Sequence, residues 1–227
     1  YDVAVVGGGI NGIQTANELA KRNVKVVVIE KGEYASGTTS KTTNIGHGGI
    51  RYLPLAVMHL IKCTLLLSLR HLREARSHWR LMKDALRERE RLLEDHPSLA
   101  NREEFYYLVY KGDRYSLFWV RAGTWLYDRL AGMRKKGLPA RHVLKGEEAL
   151  AFARQEGLKT NGLKGVVSYW DARLKAKAIA LEVLRRAQDA GAVFIDHARA
   201  GVVPRGDADD FDAVSVTDTR TLHHEFV

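Results

Sequence analysis

The run Gly7-Gly8-Gly9-Ile10-Asn11-Gly12 sits between an apolar stretch, Val3 to Val6, and a helical pattern carried by Ala16, Leu19 and Ala20. Strand, tight glycine turn and helix follow one another, and few folds accept that succession. A second apolar stretch, Val24 to Ile29, ends on Glu30, 18 positions after Gly12, where the second strand of a βαβ unit meets a ribose. The spaced glycines have separate tasks. Gly7 makes the turn, Gly9 lets the backbone approach a pyrophosphate, and Gly12 lets the helix pack on the strand, while first-turn N–H groups and the helix dipole receive the anion. Glu30 can accept hydrogen bonds from both hydroxyls of an adenosine ribose. A lone G-x-G-x-x-G recurs for structural reasons only, but strand, turn, helix, second strand and terminal acid in agreement indicate a dinucleotide-binding unit.

At 227 residues, 45% of them hydrophobic and 28% charged, the chain can bury a substantial core as one large domain or two small ones. Cys63 is the single cysteine, so no internal disulfide forms and a reducing compartment is the natural setting. Its plain role is that of a small buried hydrophobe in an apolar helix. The sequence carries no signal peptide and no run of about 18 uncharged apolar residues, which speaks against a membrane-spanning helix. The formal charge of +9 favours anionic partners, whether phosphates, nucleic acid or a lipid surface, and composition does not choose among them.

From Lys31 to Leu53 the chain is dense in hydroxyls and glycine. Small hydroxyl side chains offer donors and acceptors at low steric cost, and glycines let backbone N–H groups lie close to a ligand. A loop this long inside a compact domain is usually functional. Gly7 to Gly12, Glu30 and the run from Thr38 through His47-Gly48-Gly49-Ile50-Arg51-Tyr52-Leu53 resemble the FAD-dependent glycerol-3-phosphate dehydrogenases, within the larger group of amine and hydroxyacid flavin oxidoreductases. Many dinucleotide folds share the glycine turn, whereas the H-G-G-x-R-Y-L segment is close to diagnostic for the glycerol-phosphate branch.

The resemblance implies FAD as cofactor, bound by Gly7, Gly9, Asn11, Gly12, Glu30, Lys31, Thr38, Thr39, Ser40, Thr43, Gly46, His47, Gly48 and Gly49, with the backbone near Ala200 approaching the adenine. By the same resemblance the hydroxyl-rich segment lines the pyrophosphate, the histidine-glycine segment lies against the flavin ring, and Arg51 and Tyr52 face the substrate. Arg51 suits a phosphate, since a guanidinium makes two charge-assisted bonds to it. His47 could act as a catalytic base, as a hydrogen-bond partner of the flavin or as a structural residue, and a structural role beside the flavin is the favoured one.

From Leu53 to Leu69 the chain is strongly apolar, interrupted by Pro54, His59 and Lys62. Overlapping its end, apolar residues at 65, 69, 72, 79, 82, 86 and 93 keep helical spacing while Arg70, Arg73, Arg76, Arg80, Lys83, Arg87, Arg89 and Arg91 crowd the other positions. This is a basic amphipathic helix. It suits either ordinary packing with a solvated face or a seat on anionic lipid. Phe105 to Tyr110 reads as a strand, with a turn at Lys111-Gly112-Asp113. A helix is expected over about Ser116 to Leu130, its aromatics Trp119, Trp125 and Tyr127 placed in the core; no RNA- or DNA-binding motif accompanies them. Gly165 to Trp170 reads as a strand, and Asp171 as the N-cap of a helix running to about Ala190. Val193 to Ile195 makes a third strand of the nucleotide unit, and Ala198 to Val203 with Ala213 to Thr217 an antiparallel appendage turning at Gly206-Asp207.

The fold class is therefore α/β: a Rossmann-like FAD-binding domain formed by residues 1–52 and 171–227, with an inserted α+β substrate-domain segment at 53–170. By the same resemblance the chain is expected to be an N-terminal portion, ending before the remaining substrate ligands of the family. The resemblance implies oxidation of sn-glycerol 3-phosphate to dihydroxyacetone phosphate, electrons passing to a quinone or another acceptor. It further implies a cytoplasmic protein, with peripheral attachment to the cytoplasmic face of the membrane as an option. Oligomer formation stays open, and nucleic acid is not an expected partner. Two other readings remain. One is a flavin oxidase acting on an amino or hydroxy acid; the other is a non-catalytic nucleotide-fold module whose basic helix attaches to membrane or nucleic acid.

Overall fold

The computed structural model describes residues 1–50, 69–132, 139, 141–204, 211–221 and 224–226. Arg51, Tyr52, Cys63, the apolar stretch as far as residue 68, and the turn at Gly206-Asp207 lie outside the described residues. In chain order the elements are β1 (Val3–Val6), α1 (Ile10–Ala20), β2 (Val26–Ile29), a short 3-10 turn (Thr38–Lys41), β3 (Ile45–Gly46), α2 (Leu69–Asp95), β4 (Ala100–Tyr110), α3 (Leu117–Leu130), β5 (Val143–Leu144), α4 (Gly146–Gln155), β6 (Leu163–Leu174), α5 (Ala176–Asp189), β7 (Val193–Ile195), β8 (Ala198–Pro204), β9 (Phe211–Asp218) and β10 (His224–Phe226). They form two compact units, residues 1–44 with 174–227 and residues 45–173.

In the first unit β2 lies between β1 and β7, parallel to both. All four residues of β2 are buried, as a parallel strand covered on both faces requires. Alternation along the strand divides them. Val26 and Val28 pack with Ala16 and Ala20 of α1 and with Ala187 and Ala192, while Val27 and Ile29 pack with Ala198 and Val216. Alanines on the helix side let α1 and α5 come close to the sheet. Burying each such valine or isoleucine contributes about 1.5–3 kcal/mol, so the strand read from its unbroken apolar run anchors this unit. On its other face stands an antiparallel sheet of order β10-β9-β8. Asn44, at φ +56, closes the point where the chain leaves and returns: Leu174 N–H donates to its carbonyl at 2.8 Å, and Ala176 N–H to its Oδ1 at 3.3 Å.

The second unit is built on β6, flanked by β4 on one side and by β3 and β5 on the other. Buried residues of α2 recur at Ala75, Met82, Leu86 and Leu93, and Met82 and Leu86 cluster with Tyr127 and Ala131. The basic side chains of α2 expected to face solvent do so at Arg70, Arg87 and Arg91, each ion-paired within the helix to Glu74, Asp84 and Glu88. Arg89 is the exception, at 2% exposure.

Two further expectations need correction. Asp171 does not cap a helix: β6 runs through it to Leu174 and α5 begins only at Ala176. The Asp-Ala-Arg run matches a helix start in composition, but pairing of Ile45 and Gly46 with Arg173 and Ala172 holds these residues extended. Nor do Trp119 and Trp125 lie in the core, being 57% and 50% exposed. The buried stripe of α3 is Val120, Thr124 and Tyr127, and both tryptophans fall off it; Trp125 instead carries the Arg129 guanidinium 5.3 Å from its ring centre.

Candidate functional site

The glycine turn between β1 and α1 is fixed by backbone conformation at Gly7 and by close approach at Gly12. Gly7, at φ +107, donates its N–H to Ile29 O at 2.9 Å. A Cβ at Gly12 would lie 2.0 Å from Gly7 O, so the close approach of helix to strand admits glycine alone. Gly9 differs. Its backbone is extended and it stands at the N-cap of α1, and an added Cβ would meet only Thr39 Oγ1, at 3.6 Å. Beside it the helix start presents its N–H groups and dipole.

Glu30 ends β2 and reaches back to the turn. Its Oε2 accepts from Gly8 N–H at 2.6 Å and its Oε1 from Gly32 N–H at 2.9 Å, while its own main chain is tied to Ile195 O and Ala198 N. A carboxylate held on both oxygens by the backbone retains lone pairs for the hydroxyls of a ribose. The 3-10 turn brings in Thr39, which is buried and accepts the Ile10 N–H at 3.2 Å. Ser40 donates to Ser36 O at 2.7 Å, and Thr38 and Thr43 are exposed. Lys31 and Asn11 are exposed nearby in sequence, and Ala200 lies half-buried in β8 opposite Val216. The first unit thus gathers Gly7, Gly9, Gly12, Glu30 and Thr39 around one helix N-terminus, a cradle fitting an adenosine diphosphate moiety.

Gly46, His47, Gly48 and Gly49 belong to the second unit. His47 Nδ1 is buried without a hydrogen-bond partner among the described residues. Gly48 is held by a network whose members the sequence reading did not assign to a site. Asp171, buried at 1% exposure, accepts through Oδ1 from Gly48 N–H at 3.2 Å, from Arg89 Nη1 at 3.0 Å and from Tyr127 Oη at 3.3 Å. Arg89 also donates to Tyr127 Oη at 3.2 Å and to Glu90 at 2.9 Å, and Glu90 pairs with Arg102. Burial pushes the Asp171 carboxyl above its ordinary value, against the pull of Arg89 and the Gly48 and Ala172 N–H groups. Burial likewise raises the Tyr127 hydroxyl, with the Asp171 charge adding to it, so the phenol stays a donor. Arg89 stood in the sequence reading among exposed basic residues. Its position, three after Leu86 and four before Leu93, places it on the apolar stripe, and that spacing was the available signal.

A parallel sheet with a glycine turn, a helix N-terminus and a strand-terminal acid defines a dinucleotide-binding protein, and the helical and sheet insertion that follows Asn44 separates it from the simplest such folds. Residues 2–225 match the family described as FAD dependent oxidoreductase, and the chain belongs to that family; FAD is its cofactor. It is 32% identical over 219 residues, 96% of its length, to a glycerol-3-phosphate dehydrogenase of Synechocystis, of which this covers 35%. Its fold matches the glycerol-3-phosphate dehydrogenase of Bacillus halodurans complexed with FAD, with a TM-score of 0.62 at 18% identity over all of this chain and 32% of that one. It also matches a glycine oxidase of Bacillus cereus, with a TM-score of 0.53 at 20% identity over 95% of this chain and 51% of that one. The chain spans about a third of the length of the curated relatives it matches.

Proposed function

We propose that the protein oxidises sn-glycerol 3-phosphate to dihydroxyacetone phosphate and passes the electrons to a quinone. What carries this reading is the H-G-G-x-R-Y-L segment on a chain 32% identical to a glycerol-3-phosphate dehydrogenase. FAD, when bound, supplies the two-electron acceptor for the hydride leaving the alcohol carbon. Glu30 takes the adenosine ribose, Gly9 and the start of α1 the pyrophosphate, Lys31, Thr38, Thr39, Ser40 and Thr43 border it, and the backbone near Ala200 approaches the adenine. His47, Gly48 and Gly49 lie against the flavin ring, His47 in a structural role. Arg51 clamps the substrate phosphate and Tyr52 stands beside it, both outside the described residues. An arginine cannot serve as proton acceptor at neutral pH, so Arg51 binds and orients only, and the hydroxyl proton goes to a base elsewhere in the protein.

No helix among the described residues is long and apolar enough to cross a membrane. The flavoenzyme relatives support a cytoplasmic protein, and the basic face of α2 is the candidate surface for anionic lipid and a membrane quinone. The test is anaerobic titration of the whole, flavin-loaded protein. Glycerol 3-phosphate should bleach the visible flavin band stoichiometrically, and glycine, other amino acids and hydroxy acids should leave it unchanged. Bleaching by an amino acid instead would assign the protein to the amine-oxidising side of the group; a colourless protein that stays colourless with added FAD would refute the flavin reading altogether.

A further inference from the structure

Three elements of the second unit converge on two glycines. Gly48 and Gly49 are buried, and a Cβ on Gly48 would stand 2.4 Å from Leu86 Cδ2 and 2.5 Å from Tyr127 Oη. Gly49, at φ +86, would set one 3.0 Å from Met82 Cα. Helices α2 and α3 therefore close directly onto the main chain, and the Gly48 N–H is taken up by Asp171, 123 positions further on. Packing does not by itself call for charge here, because apolar side chains of similar volume fill such a space without the desolvation cost of an ion pair. Apolar side chains cannot, however, accept the Gly48 N–H.

We propose that Asp171 is a positioning residue for the main chain of His47 to Gly49: its carboxylate, oriented by Arg89 and Tyr127, fixes the Gly48 N–H and with it the path of the segment. The consequence for the cofactor rests on the reading above that this segment lies against the flavin ring. Asp171 touches neither substrate nor the reacting atoms. It acts through Gly48; Arg89 acts through Asp171, while Tyr127 both orients Asp171 and meets Gly48 directly. Arg89 is itself anchored by Glu90, whose other oxygen pairs with Arg102, so the clamp is tied from α2 into β4.

Two variants of the whole protein test it. The first replaces the ion pair by apolar residues, Asp171→Leu with Arg89→Met, which avoids leaving one buried charge alone. The second, Tyr127→Phe, keeps the ring and the ion pair and removes one orienting hydroxyl. In flavin-free protein, amide exchange over residues 45–50 should run about tenfold faster in the first variant and about threefold faster in the second, with exchange over β1 and α1 unchanged. In flavin-loaded protein, the visible circular dichroism of the flavin should change in both, with the apolar pair melting below the parent because the buried Gly48 N–H is left without an acceptor. If the apolar pair does not fold, Tyr127→Phe alone decides. Unchanged exchange over 45–50 in a folded variant overturns the clamp. Faster exchange with an unaltered flavin signal overturns its reach to the cofactor. A parent protein that takes up no flavin overturns the functional reading instead, and the exchange measurement still judges Asp171.

Discussion

At the level of single residues, Gly12 and Gly9, three positions apart, make opposite predictions. Gly12→Ala forces a Cβ to 2.0 Å from a backbone oxygen, which no rotamer relieves, so the apoprotein should lose stability by several kcal/mol or fail to fold. Gly9→Ala meets only a hydroxyl at 3.6 Å in an extended backbone that alanine adopts freely. Its apoprotein should melt within about 0.5 kcal/mol of the parent, while FAD binds at least about tenfold more weakly because a methyl occupies the approach to the pyrophosphate. Equal affinity in Gly9→Ala would remove Gly9 from the cofactor. Glu30→Ala should weaken FAD by about 1–3 kcal/mol, the worth of hydrogen bonds to a charged acceptor, and calorimetric titration reads it directly; retention of full affinity would take the ribose away from Glu30. Asp128 offers a prediction in pH. Burial pushes its carboxyl up from 3.8 to about 6, with Arg141 and Arg89 opposing, and its Oδ1 is buried without a partner among the described residues. The folded state holds this proton more tightly than the unfolded state, so stability falls as pH rises from about 4 to about 6 and the cost is complete above that. Asp128→Asn should melt above the parent at about pH 7.5, the gap closing toward about pH 4. A gap that does not vary with pH would mean the charge is not the cause.

At the level of elements, α2 carries the next prediction. Arg70, Arg87 and Arg91 are engaged with acids one turn away, which leaves Arg73, Arg76, Arg80 and Lys83, of which the three arginines are the group to test on lipid. Changing these three to Gln should release the whole protein from anionic vesicles, and added salt should do the same, because surface attraction is screened over about 8 Å at physiological ionic strength. Binding that survives both treatments would point away from this face. The elements also show what could be read beforehand. β2 was legible because a strand buried on both faces must be apolar throughout, and the glycine turn because each glycine answers a separate steric demand. Asp171 was not, since an aspartate before Ala-Arg-Leu is a good cap and nothing in the local sequence announces Gly48 as its partner. Arg89 was hidden by its charge rather than by its spacing. For Trp119 and Trp125 the aromatic type suggested burial, although their positions lie off the Val120, Thr124, Tyr127 stripe.

At the level of the molecule, binding of FAD to the folded state alone should raise stability by about 2.7 kcal/mol at a free concentration near a hundred times its dissociation constant. A thermal scan of the whole protein with and without added FAD measures this, and coincident scans would contradict FAD binding. The excess of lysine and arginine over acid, 36 against 27, adds a general attraction for phosphate-bearing surfaces that the scan in low and high salt separates from the specific site. The central place of β2 also governs how the chain is made. Its first neighbour, β1, precedes it, but its second, β7, begins only at Val193, about 160 residues behind on the ribosome. At translation speeds of about 5–20 residues per second, the open edge of β2 waits on the order of ten seconds for its mate. Throughout that interval a nascent chain presents four apolar residues with unpaired backbone groups, and a release of translation before β7 emerges would yield a polypeptide ready to join its neighbours edge to edge.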